Sequence, residues 1–390
     1  MPRSSLVSSI RRKLGRFAVG VLPPSRRTIR SHPVFLATSF LLTIFAGEGS
    51  AVLTSAVPSQ WFPPDARSQG LGRAYTAIAE GPAAVWWNPG GLALIEGLYG
   101  TPYSKFPVRP ARDAYDIHSF ELSGGRDGVG FGAHLHRMEY ESSIFTDESG
   151  SALGRFQPYE YVGILGGGID LNQRVLHGSP ALALGIGAGL KIFHTKLAPA
   201  NLALNHRDWK GTSWDLDLGG LAAYKIPLDA PRLGGRGRDP FLELRGGFTL
   251  HNAFARNISF LDGDQDDPLG REFRTGAAVR AGIIDLPPLS YLLEGTLSVE
   301  RNWELDPSSG KPGNFYGIEM TLLGLISVRH GWIRDDEGQT HDTITGYGAG
   351  CDIAVDEHRH IGFRYDFASV PSANRFWETD ARTISLWMTW

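Results

Sequence analysis

The segment Leu182–Phe193, LALGIGAGLKIF, puts its large apolar side chains at every second position. Leu182, Leu184, Ile186, Ala188, Leu190 and Ile192 form one face, and Ala183, Gly185, Gly187, Gly189 and Lys191 the other. A period of two is that of a β-strand, whose successive side chains leave opposite faces. Trp214–Ile226 repeats the pattern, with Trp214, Leu216, Leu218, Ala222, Tyr224 and Ile226 set against Asp215, Asp217, Gly219 and Lys225. Phe241–His251 sets Leu242, Leu244, Phe248 and Leu250 against Glu243, Arg245, Thr249 and His251. Val129, Phe131, Ala133 and Leu135 likewise oppose Gly130, Gly132, His134 and His136.

About fourteen such segments follow one another, near 97–105, 114–123, 128–139, 158–171, 181–194, 212–226, 240–252, 271–283, 290–302, 314–322, 324–334, 344–354, 359–368 and 381–390. Several exceed the roughly five or six residues of a globular strand and match the roughly nine to eleven of a membrane strand. Gly124–Gly128 and Asp356-Glu357-His358 read as tight turns, whereas 140–157, 195–211, 253–270, 303–313 and 335–343 are long and polar. The connections 227–239 and Pro287-Pro288 are longer than ideal tight turns. Ile384, Leu386, Met388 and Trp390 share one face of a last strand that ends on an aromatic residue.

The two faces decide between architectures. In a soluble sandwich the apolar faces meet in one core. Here the opposite face is glycine with scattered charge, which suits a wet or plugged lumen with lipid outside. The expected fold is all-β, a closed antiparallel transmembrane β-barrel of about 14 strands over residues 96–390. A periplasmic sandwich or propeller is the alternative.

The N-terminus fits export. Arg3, Arg11, Arg12, Lys13, Arg16, Arg26, Arg27 and Arg30 precede the apolar run Val34–Ala46 and the small residues Gly49-Ser50-Ala51. The apolar run is shorter than the roughly 20 residues of a spanning helix, so 1–51 reads as a secretory signal peptide. A net charge of −3 with 20% charged residues gives no reason for general nucleic-acid binding. The one cysteine, Cys351, excludes an intrachain disulfide framework and a multi-cysteine metal site. Neither cofactor nor metal is expected.

One stretch does not alternate: Ala66–Ala93, ARSQGLGRAYTAIAEGPAAVWWNPGGLA. Leu71, Tyr75, Ile78 and Ala79 fall at helical spacing, Gly81-Pro82 ends that patch, and Asn88-Pro89-Gly90-Gly91 is a cluster of breakers. Residues 52–95 are therefore expected to form a leader and a compact piece that the strands enclose.

Ala66, Arg67, Gly70, Gly72, Ala74, Tyr75, Ala77, Ala79, Trp87, Asn88, Pro89, Gly91 and Leu92 resemble the N-terminal pattern of the FadL-like outer-membrane proteins, most closely the PorV/PorQ branch. Gly247–Asn252, Arg329-His330-Gly331-Trp332, Gly346–Gly350, Tyr365-Asp366-Phe367 and Arg382–Leu386 extend the resemblance in order. Gly90, Arg73 and Glu80-Gly81 depart from it. The resemblance implies a fourteen-stranded barrel with the N-terminal segment in the lumen as a hatch. It also implies one of two functions: passing fatty-acid-like hydrophobic molecules through a pocket and a lateral opening, or binding secreted protein cargo for type IX secretion. The membrane partner would be outer-membrane lipid.

Within the hatch, Gly70, Gly72, Tyr75, Asn88, Pro89 and Gly91 are the candidate hatch and turn residues. Asn88 and Pro89 would fix a turn, and Gly72 and Gly91 would allow close approach to the wall. Leu71, Ile78, Trp86 and Trp87 either line a hydrophobic pocket or anchor the hatch. An enzyme would need an acid/base constellation of fixed spacing, which is lacking. His134, His136, Asp215 and Asp217 read as polar lumen residues. Gly70-x-Gly72 lacks the strand-turn-helix context of a phosphate site.

Overall fold

The computed structural model describes residues 57–390 apart from 109–114, 148, 201–207, 229–239, 261–264, 286–290, 307–311, 336–340, 356–358 and 372–377. The expected signal peptide 1–51, residues 52–56, the turn at 356–358, Pro287-Pro288 and most of 227–239 lie outside the described residues.

Strands run in chain order as β1 Gly97–Val108, β2 Tyr115–Arg126, β3 Val129–Tyr140, β4 Ser143–Thr146, β5 Ala152–Phe156 and β6 Tyr159–Asp170. They continue as β7 Leu182–Ala198, β8 Trp209–Pro227, β9 Phe241–His251, β10 Asn257–Phe260, β11 Gln265–Pro268 and β12 Glu272–Asp285. The last are β13 Tyr291–Glu304, β14 Gly313–Leu322, β15 Ile326–Asp335, β16 His341–Ala354, β17 His360–Pro371 and β18 Glu378–Thr389. Fourteen of them close a barrel in the order β1-β18-β17-β16-β15-β14-β13-β12-β9-β8-β7-β6-β3-β2. Every ladder is antiparallel, so the chain winds up and down and closes where β1 pairs with β18. Each of the fourteen alternating segments coincides with one barrel strand. The ribbons β4–β5 and β10–β11 sit in two connections that alternation alone reads as loops.

The connections sort by rim. At one rim, Asp127 and Gly128 both take positive φ and turn β2 into β3, and Leu323 and Gly324 do the same between β14 and β15. Such left-handed pairs match the strand twist. A five-residue π-helix, Asn172–Leu176, follows β6 at this rim. Its N-terminus is tied down by Asp170, whose carboxylate accepts from the amides of Asn172, Gln173 and Leu184. The opposite rim carries both ribbons and is the loop rim.

Burial is inverted relative to a soluble protein. Phe131, Leu165, Leu297 and Tyr347 stand 54–65% exposed on the outer face. Asp215, Asp217, Arg329, His136 and Glu272 are at most 1% exposed inside. An apolar outer belt over a closed hydrogen-bonded wall is the solution that hydrocarbon demands, because no strand edge is left unpaired. The chain is a transmembrane β-barrel by this criterion. Among the described residues no helix is long and apolar enough to cross a membrane.

Candidate functional site

Residues 57–96 fill the lumen. They form short turns of helix at Pro58–Trp61, Ala66–Gly70, Gly81–Ala83, Ala84–Trp87 and Pro89–Leu94, joined by bends. The helical spacing of Leu71, Tyr75, Ile78 and Ala79 does not produce a helix. Gly72 and Arg73 have φ of 60° and 67°, which ends the preceding helix and sends the chain through turns. All four side chains are nonetheless buried.

The hatch lies on a belt of lumen-facing glycines. A side chain on Gly187 would meet the Pro89 carbonyl, one on Gly219 the Asn88 amide oxygen, and one on Gly247 the Thr76 carbonyl. Gly317 and Gly331 receive Leu71 and Gly72 in the same way. On the hatch side, a Cβ at Gly72 would come within 2.7 Å of the wall backbone at Tyr316 and Trp332, as expected. Gly91 instead serves packing within the hatch, where a Cβ would come within 2.2 Å of the Ala79 carbonyl oxygen and not against the wall. Backbone therefore rests on backbone around much of the barrel.

Asn88 is the best satisfied of these contacts. Its Oδ1 accepts from the Gly90 amide at 3.0 Å, capping the helix Pro89–Leu94. Its Nδ2 donates to the carbonyls of Thr76 at 2.9 Å and Gly220 at 3.0 Å, tying two hatch segments and the wall together. Pro89 occupies the first turn of that helix, where its missing amide proton costs nothing. Gly70 lies against Gly346.

The apolar hatch residues pack into the interior. Trp86 sits 4.9 Å from the His134 ring and 5.2 Å from that of His136, with Lys191 Nζ at 5.7 Å. Trp87 packs on Tyr75 at 5.7 Å and under Arg274 at 5.1 Å. Leu71, Ile78, Trp86 and Trp87 all belong to one buried cluster. The lumen polar groups form networks of their own. Asp217 pairs with Lys191 at 2.7 Å and His251 at 2.9 Å, and Asp215 accepts from the amides of Phe254 and Arg256. Among the described residues no group of three potential ligands converges as a metal site.

A cavity of about 310 Å³ lies between the hatch and the wall of β1, β2, β9, β12, β17 and β18. Tyr75 and Gly91 reach it; Leu71, Ile78, Trp86 and Trp87 do not. Its apolar side includes Pro82, Leu94, Ile95, Tyr99 and Trp387, while Leu386, which contributes to the wall here, turns its side chain to the lipid face. Its polar side is a chain of ion pairs that sequence reading missed. Glu80 of the hatch takes Arg280 at 2.7 Å, Arg67 at 2.8 Å and Arg245 at 3.4 Å. Arg67 continues to Glu319 at 2.7 Å, and from there the chain runs through Arg329 and Asp366 to Arg364. Beside it, Glu300 accepts from the amides of Tyr75 and Thr76 at 2.8 and 2.7 Å. The hatch is thus gripped by its backbone and by two side chains of opposite charge.

The cavity begins at Asp65. Asp65 caps the helix Ala66–Gly70 by accepting from the Ser68 amide at 2.8 Å and hydroxyl at 2.7 Å. Burial, and then the charge of Glu121, push its carboxyl up to about 6. An acid raised in the folded state favours the folded seat fully below its ordinary value of 3.8 and loses that advantage as pH rises through about 6. The hatch should therefore sit more firmly at pH 5 than at pH 7.5. Amide protection factors for residues 65–70 should rise on that descent, and Asp65→Asn should flatten the dependence.

No protein-family model and no curated protein matches the chain. Among solved structures it is similar to the toluene transporter TbuX of Ralstonia pickettii, at 12% identity over 86% of this chain and 98% of that one, with a TM-score of 0.42. It is also similar to the CymD monoaromatic hydrocarbon channel, at 13% identity, coverage of 87% and 98%, and a TM-score of 0.40. A Pseudomonas aeruginosa FadL homologue gives 10% identity, coverage of 88% and 99%, and a TM-score of 0.37. At these values the class rests on the chain's own ladders and burial: a hatch-plugged transmembrane β-barrel.

Proposed function

We propose that this chain is an outer-membrane barrel of the FadL-like type that passes small hydrophobic molecules through its hatch-plugged lumen. Residues 1–51 would direct export, with the mature chain starting near residue 52. The observation that carries the reading is the position of the cavity. It abuts the seam where the first and last strands meet, and there the wall is irregular. Gly100 faces Leu386 and Tyr103 faces Ile384, so Thr101 and Pro102 form a bulge, and β1 slips against β2 one residue further on, at Pro102 and Tyr103. Pro102 has no amide proton to give to either ladder. Thr101 and Trp387 line the cavity directly behind this interruption. The N-terminal motif supports the FadL-like class of the barrel and is common to the transport and cargo-binding readings.

A passenger would rest in the cavity against Tyr99, Ile95 and Trp387 and leave sideways into lipid between β1 and β18. A cross-strand disulfide tests this. Gly100→Cys and Leu386→Cys, placed on a Cys351→Ser background, occupy directly opposed positions at a spacing that a disulfide spans. Oxidation should cut uptake of a neutral monoaromatic probe by about tenfold or more, with recovery on reduction, a change in barrier of roughly 1.4 kcal/mol. Unchanged uptake with the seam locked would rule the seam out as the route. On the cargo-binding alternative, neither state would carry the probe.

A further inference from the structure

The outer face of β3, β6, β7 and β8 changes chemistry in steps toward the loop rim. Strand register defines the rows. Leu135, Gly163, Ile192 and Trp214 lie side by side in the apolar belt. One pair higher come Arg137, Tyr161, His194 and Thr212, and one pair higher again Glu139, Tyr159, Lys196 and Lys210. Arg256, in the adjoining loop, lies 4.1 Å over the Trp214 ring, and Phe254 meets that ring edge-on.

We propose that this sector is a binding site for the phosphate group of an anionic membrane lipid, with Arg137, Lys196, Lys210 and Arg256 supplying the positive charge. Three features on the surface argue for it. The site is continuous with the lipid-facing belt, so acyl chains lying on Leu135, Ile192 and Trp214 bring a headgroup to the level of the cations. Among the described residues, the cations outnumber the carboxylates that touch them. Arg137 pairs with Glu139, while Lys196 and Lys210 share Asp208 at 3.9 and 3.4 Å. Four cations against two carboxylates leave an excess that a lipid phosphate neutralises. The side chains are also presented to the membrane: those of Arg137 and Lys210 are 44% and 58% exposed. Arg137 is steadied over the Tyr161 ring at 5.4 Å, and His194 is fixed by Thr212 at 2.9 Å. Aromatic rings with basic side chains at this depth are the chemistry of a headgroup interface.

The proposal rests on the transmembrane placement of the barrel and not on what its lumen passes. Native mass spectrometry of the full chain in neutral detergent, titrated with phosphatidylglycerol or phosphatidylcholine, tests it. Phosphatidylglycerol adducts should exceed phosphatidylcholine adducts by about tenfold, a factor that two interfacial cations suffice to supply. Arg137→Gln, Lys196→Gln, Lys210→Gln and Arg256→Gln together should abolish the preference, and the charge-conserving exchanges of Lys for Arg and Arg for Lys should restore it. Heat-modifiable migration checks that each variant is a closed barrel. For the unaltered protein, raising salt to about 1 M, where charges are screened within about 3 Å, should erase most of the preference. Equal retention of both lipids, a preference that survives in the glutamine variant, or a preference indifferent to salt would each overturn the proposal.

Discussion

A barrel lacking residues 66–93 is expected to conduct ions. The wall does not need these residues to close: all fourteen strands begin at Gly97 or later, and β1 pairs with β18 directly. What they supply is the filling. The segment brings Leu71, Ile78, Val85, Trp86 and Trp87 into the lumen and lays its backbone along the glycine belt of β3, β6, β7, β8, β9, β14 and β15. Without it, the walls of that space are polar and wettable: Asp217, Lys191, His251, Glu272, Arg274, Glu300 and Arg329 all point inward. Barrels only slightly larger hold an open aqueous channel. In planar bilayers the deletion variant should show conductance about tenfold or more above the intact protein, while still migrating as a heat-modifiable barrel. Unchanged conductance would move the seal from the hatch to the loops at the loop rim.

The strands were legible in the sequence because lipid imposes strict period-two alternation. One face must be apolar at every pair, so Leu182–Phe193 or Trp214–Ile226 reads cleanly without knowledge of its neighbours. The hatch was legible by contrast, as the stretch that fails to alternate. Its conformation was not. Leu71, Tyr75, Ile78 and Ala79 carry helical spacing, but the left-handed backbone at Gly72 and Arg73 leaves no sequence mark beyond one glycine. The inward glycines were visible, yet a glycine-lined face fits a water-filled lumen as well as a docked backbone. Only the positions of Pro89, Asn88 and Leu71 against Gly187, Gly219 and Gly317 separate the two. The ion-pair chain had no local signal at all. Arg67 and Glu319 lie 252 positions apart, and Glu80 lies 200 from Arg280 and 165 from Arg245. Pairings of that range are made by barrel closure, which alternation predicts as a topology and not as a set of contacts.

Glu80→Ala is expected to loosen the hatch without opening the wall. One carboxylate holds three guanidinium groups, two from the wall and one from the hatch itself, so its loss leaves Arg67, Arg245 and Arg280 facing one another across the cavity. Removing one partner of a buried pair costs about 3–5 kcal/mol. The Glu80 side chain is 32% exposed, toward the cavity, and Arg67 and Arg280 keep Glu319 and Glu294, so the lower figure of about 2–3 kcal/mol applies. At 1.4 kcal/mol per decade, that raises the population of hatch-open molecules by roughly 30- to 150-fold. Amide protection across residues 66–93 should fall by that factor, with protection of the barrel strands unchanged. The pH dependence has a definite sign. Burial alone would favour the protonated carboxyl, but Arg280, Arg67 and Arg245 together hold it well below its ordinary 4.5. A depressed acid contributes its stability above the ordinary value and loses it as pH falls through the lower, folded one. The latch is therefore fully engaged from neutral pH down to about 4.5 and releases only in stronger acid. This is opposite in sense to Asp65, whose protonation tightens the seat. Glu80→Gln should keep a hydrogen bond, lose the charge, and fall between the two states. If protection in Glu80→Ala matches the parent, the hatch is held by its backbone on the glycine belt, and the arginines serve the cavity's ligand instead.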